Sequence, residues 1–234
     1  MSEYRVESFA PGQAPIEAFF TLPRRIESLT DQQATAEATG TRALLDPGNT
    51  YYRNADSRSF VVSRGGTPVG RITAFHNRLL GGEHRRYGLV GLFACDNDVA
   101  AARALVAAAS AWLAEQGLDA MRGPMAGDIW HRWRFMTRGF ATAPFPGEPR
   151  NPEYYPELFN ACGFAAVRTY STKIIVDLDA QLTVLSVAAE LNARRGYRYR
   201  SIASEQWKAD LRHVYDLCRH SFASDWSVSE STFE

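Results

Sequence analysis

The stretch from Tyr87 to Met125, YGLVGLFACDNDVAAARALVAAASAWLAEQGLDAMRGPM, restricts the possible folds more than any other part of the chain. It opens with an apolar run, Tyr87 to Cys95, of the length and character of a buried strand. Asp96-Asn97-Asp98 breaks the run. From Val99 the apolar positions Ala102, Leu105, Val106, Ala109, Trp112 and Leu113 recur at helical spacing. Asp98 is a natural N-cap for this helix and Gly117 a natural stop. A second strand, Asp119 to Pro124, follows. Strand, turn, helix, strand is a parallel βαβ unit, and such units place ligands at the turn where the helix begins.

The flanking sequence adds a meander in front of this unit. Tyr4 to Phe9 alternates as a strand, Pro15 to Leu22 reads as a short helix ended by Pro23, and residues 28 to 46 have helical character. Ser59–Arg64 and Pro68–Asn77 are β-branched and aromatic segments joined by Gly65-Gly66-Thr67, a hairpin signal, and Leu79–Arg86 is a polar loop. After the βαβ unit, Ala126–Pro152 is irregular and rich in Arg, Gly and aromatic residues. Glu153–Cys162 is a helix closed by Gly163, and Phe164–Asp177 carries two segments expected as strands. The remainder predicts a helix over Leu182–Arg195, a strand over Tyr197–Ile202, a helix over Glu205–Phe222, and a final turn with a new N-cap.

Charge narrows the function classes. The 26 basic and 26 acidic residues balance, which argues against a sequence-neutral nucleic-acid binder. The three cysteines, Cys95, Cys162 and Cys218, are odd in number and far apart, as in a reducing compartment. The start lacks the apolar core of a signal peptide, and no run approaches the roughly 18 apolar residues of a membrane span. A cytoplasmic protein is expected. The histidines show no metal-ligand spacing, so no metal is assigned.

The order of these elements resembles the GCN5-related N-acetyltransferase (GNAT) superfamily over roughly residues 3 to 177. YYPELFNACGF at 154–164 is similar to that family's helix-then-Gly-Phe segment. GPM at 123–125, Trp130, Arg134, FPGEP at 145–149, the pair Tyr154-Tyr155 and Gly163-Phe164 resemble a group of bacterial tandem GNAT-like proteins. The resemblance implies an α/β (α+β) fold with a mixed, largely antiparallel sheet flanked by helices. It also implies two parts: a GNAT-like domain over residues 1–178, and the linker helix, opening strand and helix of a second, unfinished unit over 179–234. An apolar edge left by such a unit would favour a homodimer.

The resemblance further implies acetyl-CoA or another acyl-CoA as cofactor and an amine of a small molecule or peptide as acceptor. Backbone amides at Leu92, Phe93, Ala94, Asp98 and Val99, with Arg103 one turn along, are the positions that would hold the thioester and its diphosphate. The family's turn is usually glycine-rich, whereas here it carries Asp96 and Asp98, either of which can cap the helix itself. Many members also place a tyrosine four residues before the Gly-Phe pair. That position is Phe159, leaving Tyr155, one turn earlier on the same face, as the candidate acid. Glu148, between two prolines, is the candidate base, and Trp130 with Arg134 the candidate substrate clamp. Two readings follow. One is acyl-CoA-dependent N-acetyl transfer; the other is a catalytically silent GNAT-like module supporting a further C-terminal unit.

Overall fold

The computed structural model describes residues 3–80, 87–201 and 203–222. The chain divides into two compact units, the first running through Ala165 and the second starting at Ala166.

In the first unit, five strands form one sheet in the order of their sequence: β1 (Tyr4–Phe9), β2 (Ala55–Arg64), β3 (Thr67–Asn77), β4 (Tyr87–Cys95) and β5 (Ala120–Arg122). The first four pair antiparallel and β5 pairs parallel with β4. The intervening α1 (Glu17–Ile26) and α2 (Asp31–Leu44) precede β2, α3 (Val99–Glu115) crosses from β4 to β5, and α4 (Tyr155–Ala161) follows. This is the mixed, mostly antiparallel α/β sheet flanked by helices expected from the sequence. Pro23 does not end α1, which continues to Ile26 with the proline inside it.

Alternation along β3 separates the two faces. A side chain at Gly70 would strike Leu105 of α3, whereas the next residue, Arg71, reaches the carbonyl of Phe19 in α1. Neighbouring strand residues point to opposite faces, so α1 and α3 cover opposite sides of the sheet. Phe9, Phe19 and Phe20 meet edge-to-face beneath α1, and Leu105, Ala109, Trp112 and Leu113 seat α3.

β4 carries the feature that shapes the site. Thr73 pairs with Gly91, yet Arg71 pairs with Ala94, so Ile72 faces two residues, Leu92 and Phe93. Leu92 adopts a φ of 48°. Such a bulge bends the strand and costs a branched residue conformational strain. Pairing with β5 stops at Leu89↔Arg122. The chain then continues through a cis Gly123-Pro124 bond, and Met125 N donates to Val90 O at 2.7 Å. A Cβ on Gly91 would lie 2.5 Å from the Met125 carbonyl, so this backbone approach requires glycine.

The second unit contains α5 (Leu178–Arg194), capped by Asp177, and α6 (Trp207–Ser221). Arg200 pairs with Asp210, and Asn192 donates to the Tyr199 hydroxyl. Two expectations fail here. Residues 165–177 and 197–201 form no strand, because alternation alone does not make one: a strand needs a neighbour to pair with. The expected terminal turn and N-cap lie outside the described residues.

Candidate functional site

The turn after β4 is occupied by the protein's own groups. Asp98 accepts from the amides of Ala100 and Ala101, both at 3.0 Å, and caps α3. Tyr4 donates to it at 2.9 Å and Arg64 pairs with it at 2.8 Å. Asp96 is held by Arg25 at 2.7 Å, and the same guanidinium reaches the Pro68 carbonyl. Burial pushes the Asp98 carboxyl up, but the Ala101 amide, the Tyr4 hydroxyl and Arg64 outweigh it and leave it below its ordinary value. Arg25 from α1 and Arg64 from β2 thus neutralise the two carboxylates. Of the residues expected here, Val99 is half exposed, and Arg103 donates its Nε to the Ala161 carbonyl.

At the end of β4 both polar groups around one residue are taken by α4 and its cap. Tyr154 donates to the Cys95 carbonyl at 2.9 Å, and the Cys95 amide donates to the Tyr155 hydroxyl at 3.3 Å. Tyr155 is buried, and burial pushes its hydroxyl well up, so it stays protonated. Tyr154 is pushed up to about 12, by burial and by the nearby Asp96. Phe93, from the bulge, packs with Phe135, Tyr155 and Phe159, with ring centroids 5.0 to 6.4 Å from its own. Ala94 is fully buried in the ladder beside Arg71. Burial also pushes the Cys95 thiol up, which removes it as a nucleophile.

The irregular segment beyond β5 folds back on itself. Ala126 N donates to Arg132 O and Arg134 N to Pro124 O, while Asn151 bonds both polar groups of the Met136 backbone. The structure brings Arg134 and Glu148 together as a pair at 2.8 Å, each about a quarter exposed. Arg134 lies over the ring of Trp133, 4.5 Å from its centroid. Trp130, expected beside Arg134, is 69% exposed.

A buried ionic cluster went unread in the sequence. Arg71 has no exposed side-chain surface. It donates to Phe19 O at 2.7 Å and pairs with Glu37 at 2.5 Å. Arg132 reaches both Glu37, at 3.0 Å, and Glu27, at 3.3 Å. Two atoms of this cluster, Glu27 Oε1 and Arg71 Nε, are buried without a hydrogen-bond partner among the described residues. In the sequence Arg71 is one of several polar residues in a strand that also carries Thr73, His76 and Asn77, and nothing there marks it as buried. Among the described residues no group of three or more His, Cys, Asp or Glu is placed to hold a metal, and no helix is long and apolar enough to cross a membrane.

No protein-family model matches the chain. It is 29% identical over 222 residues to a protein of Caulobacter vibrioides named bacterial ceramide synthase, a match covering 94% of this chain and 58% of that protein. The chain therefore spans less than two thirds of the length of that relative. Among solved structures it is similar to a GCN5-related N-acetyltransferase from Ralstonia eutropha, with 14% identity, 73% of this chain and 98% of that chain covered, and a TM-score of 0.41. A CoA complex of an aminoglycoside N-acetyltransferase gives 13% identity, 74% and 97% coverage, and a TM-score of 0.44.

Proposed function

We propose that the protein is an N-acyltransferase, which joins an acyl group delivered as an acyl-CoA thioester to an amine. The reading is carried by the likeness to the bacterial ceramide synthase, which extends over 94% of this chain. A ceramide is the amide of a fatty acyl group and a long-chain amino alcohol, so the proposed acceptor is a primary amine on a lipid-like small molecule. The free cysteines and the use of acyl-CoA fit a cytoplasmic setting.

The reaction forms a C–N bond and breaks a C–S bond; the amine loses a proton and the departing thiolate gains one. In this reading a backbone N–H of the Leu92–Ala94 bulge holds the thioester oxygen. Glu148, oriented by Arg134, receives the proton of the amine. The departing thiolate takes its proton from water, because burial makes the Tyr155 hydroxyl a weaker acid than a thiol and leaves it to position the end of β4. Trp130 is an exposed surface for the apolar part of the acceptor.

One observation favours a second reading, in which this unit is silent and supports catalysis elsewhere in a longer protein. Asp98 already occupies the first amides of α3, where a CoA diphosphate would bind. One experiment addresses both readings. The protein is mixed with acetyl-CoA or palmitoyl-CoA and a long-chain amino alcohol, thiol release is followed, and the amide is sought by mass spectrometry. Amine-dependent thiol release with amide formation is expected. Thiol release no faster than in the absence of amine refutes transfer by this chain. Calorimetry that shows no heat with either thioester identifies the unit as silent.

A further inference from the structure

The far end of α3 borders a cavity that plays no part in the proposed transfer. It has a volume of about 370 Å³, and its walls include Pro11, Pro47, Tyr52, Arg58, Trp112 and Gln116. The helix is 17 residues long, which puts this cavity about 25 Å along it from the Asp98 turn.

Strand geometry explains why a charged group points into it. A side chain at Gly70 would meet both Leu105 of α3 and Val62 of β2, so Val62 faces α3. The register of β2 is regular from Ala55 to Val62. Alternation then directs Arg58 and Asp56 toward α3 as well, opposite Trp112 and Gln116 of its last turn. The two charges differ in their commitments. Asp56 is paired with Arg78. Arg58 is half-buried, and its Nε is shielded from solvent with no hydrogen-bond partner among the described residues. That Nε is out of a ligand's reach, and it is the rest of the guanidinium, without a hydrogen bond or ion pair among the described residues, that the cavity offers to an acceptor.

The geometry points to this cavity as a binding site for a small organic anion, a carboxylate whose charge meets Arg58 and whose apolar body lies against Trp112, Pro11 and Pro47. Gln116 adds a neutral polar group to the lining. An apolar wall with a few convergent polar groups is the usual composition of a small-molecule site. A guanidinium in place of lysine favours planar carboxylate recognition. Cationic ligands are disfavoured twice, by the free arginine and by the prior pairing of Asp56.

Phenylacetate is a suitable probe, with acetate and 2-phenylethylamine as controls for the apolar body and for the charge. Calorimetric titration of the whole chain is expected to give a Kd of about 1 mM or tighter for phenylacetate. Acetate and the amine should bind at least about tenfold more weakly, and Arg58→Met should weaken phenylacetate about tenfold. The same variant should keep or raise the melting temperature of the free protein, because it removes an unsatisfied buried donor. Phenylacetate that gives no heat at about 20 mM, an amine that binds as well as the acid, or an Arg58→Met protein with unchanged affinity overturns the assignment. Should Arg58→Met fail to fold, the comparison of acid with amine on the natural sequence decides the question alone.

Discussion

Replacing Glu37 by alanine tests the buried ionic cluster directly. Glu37 is the counter-charge of Arg71, whose side chain has no exposed surface, at 2.5 Å. Without it, Arg71 keeps the Phe19 carbonyl as its acceptor, and its Nε already lacks a partner among the described residues. Arg132 also touches Glu37, but its side chain is 44% exposed, so water screens that contact and Arg71 sets the magnitude. Stranding a buried charge costs about 3–5 kcal/mol. In a domain of this size that is a fall in Tm of roughly 6–20 °C. Urea and thermal unfolding followed by circular dichroism at pH 7 measure it. The companion double variant, Glu37→Leu with Arg71→Met, replaces the pair by apolar groups and should return to within about 2 kcal/mol of the parent. A single variant costing less than about 1 kcal/mol, or a double variant as unstable as the single, refutes the reasoning.

Three further outcomes follow from the same geometry. The pH dependence of stability should carry opposite contributions from two carboxyls. Burial pushes the Glu37 carboxyl up, but Arg132 and Arg71 outweigh it and hold it below its ordinary value, so its contribution is present above the ordinary carboxyl range and is lost as pH falls through its folded value. Burial raises Glu27 despite Arg132, so its contribution is complete below the ordinary range and is lost as pH rises through its folded value; Glu27→Gln should abolish that loss in a stability profile from pH 4 to about 9. Asp98→Ala removes the cap of α3 and should cost about 1–2 kcal/mol in urea unfolding, whereas Asp98→Asn, which keeps a capping oxygen, should cost less. Tyr155→Phe leaves the Cys95 amide buried without its acceptor, and about 1–3 kcal/mol should be lost, with faster hydrogen exchange at that amide.

Local signals in the sequence were strong where short-range chemistry decides the structure. Gly65-Gly66 between β-branched segments made the β2–β3 hairpin legible, and Asp98 with Gly117 bracketed α3. The apolar-leaning segments of residues 164 to 177 were equally visible and misled, since pairing depends on a partner strand that the segment's own sequence does not specify. The site was legible as a list of positions but not as a set of contacts. Arg134 and Glu148 were both singled out, yet nothing in the spacing of 14 residues showed that each would neutralise the other. The partners of Asp96 and Asp98 were missed for the same reason: Arg25 and Arg64 lie 71 and 34 residues away, and only the folding of α1 and β2 against the turn brings them in. Glu27, Glu37, Arg71 and Arg132 are charged residues on four different segments. Hydrophobic patterning is blind to such a cluster, because it scores each of them as surface.

The sheet order, β1-β2-β3-β4-β5, has a consequence for how the protein is made. Every strand pairs with the one synthesised just before it, so a chain leaving the ribosome can add each strand to a template that already exists. The pairings of β2 with β3 and of β3 with β4 close short loops, which keeps their entropic cost small. Two steps ask for more. β1 waits for α1 and α2 before β2 arrives, and β5 waits for all of α3. The sheet therefore grows at one edge only, and the last strand to join is three residues long. The bulged end of β4 is completed late, when Met125 and the tyrosines of α4 reach it.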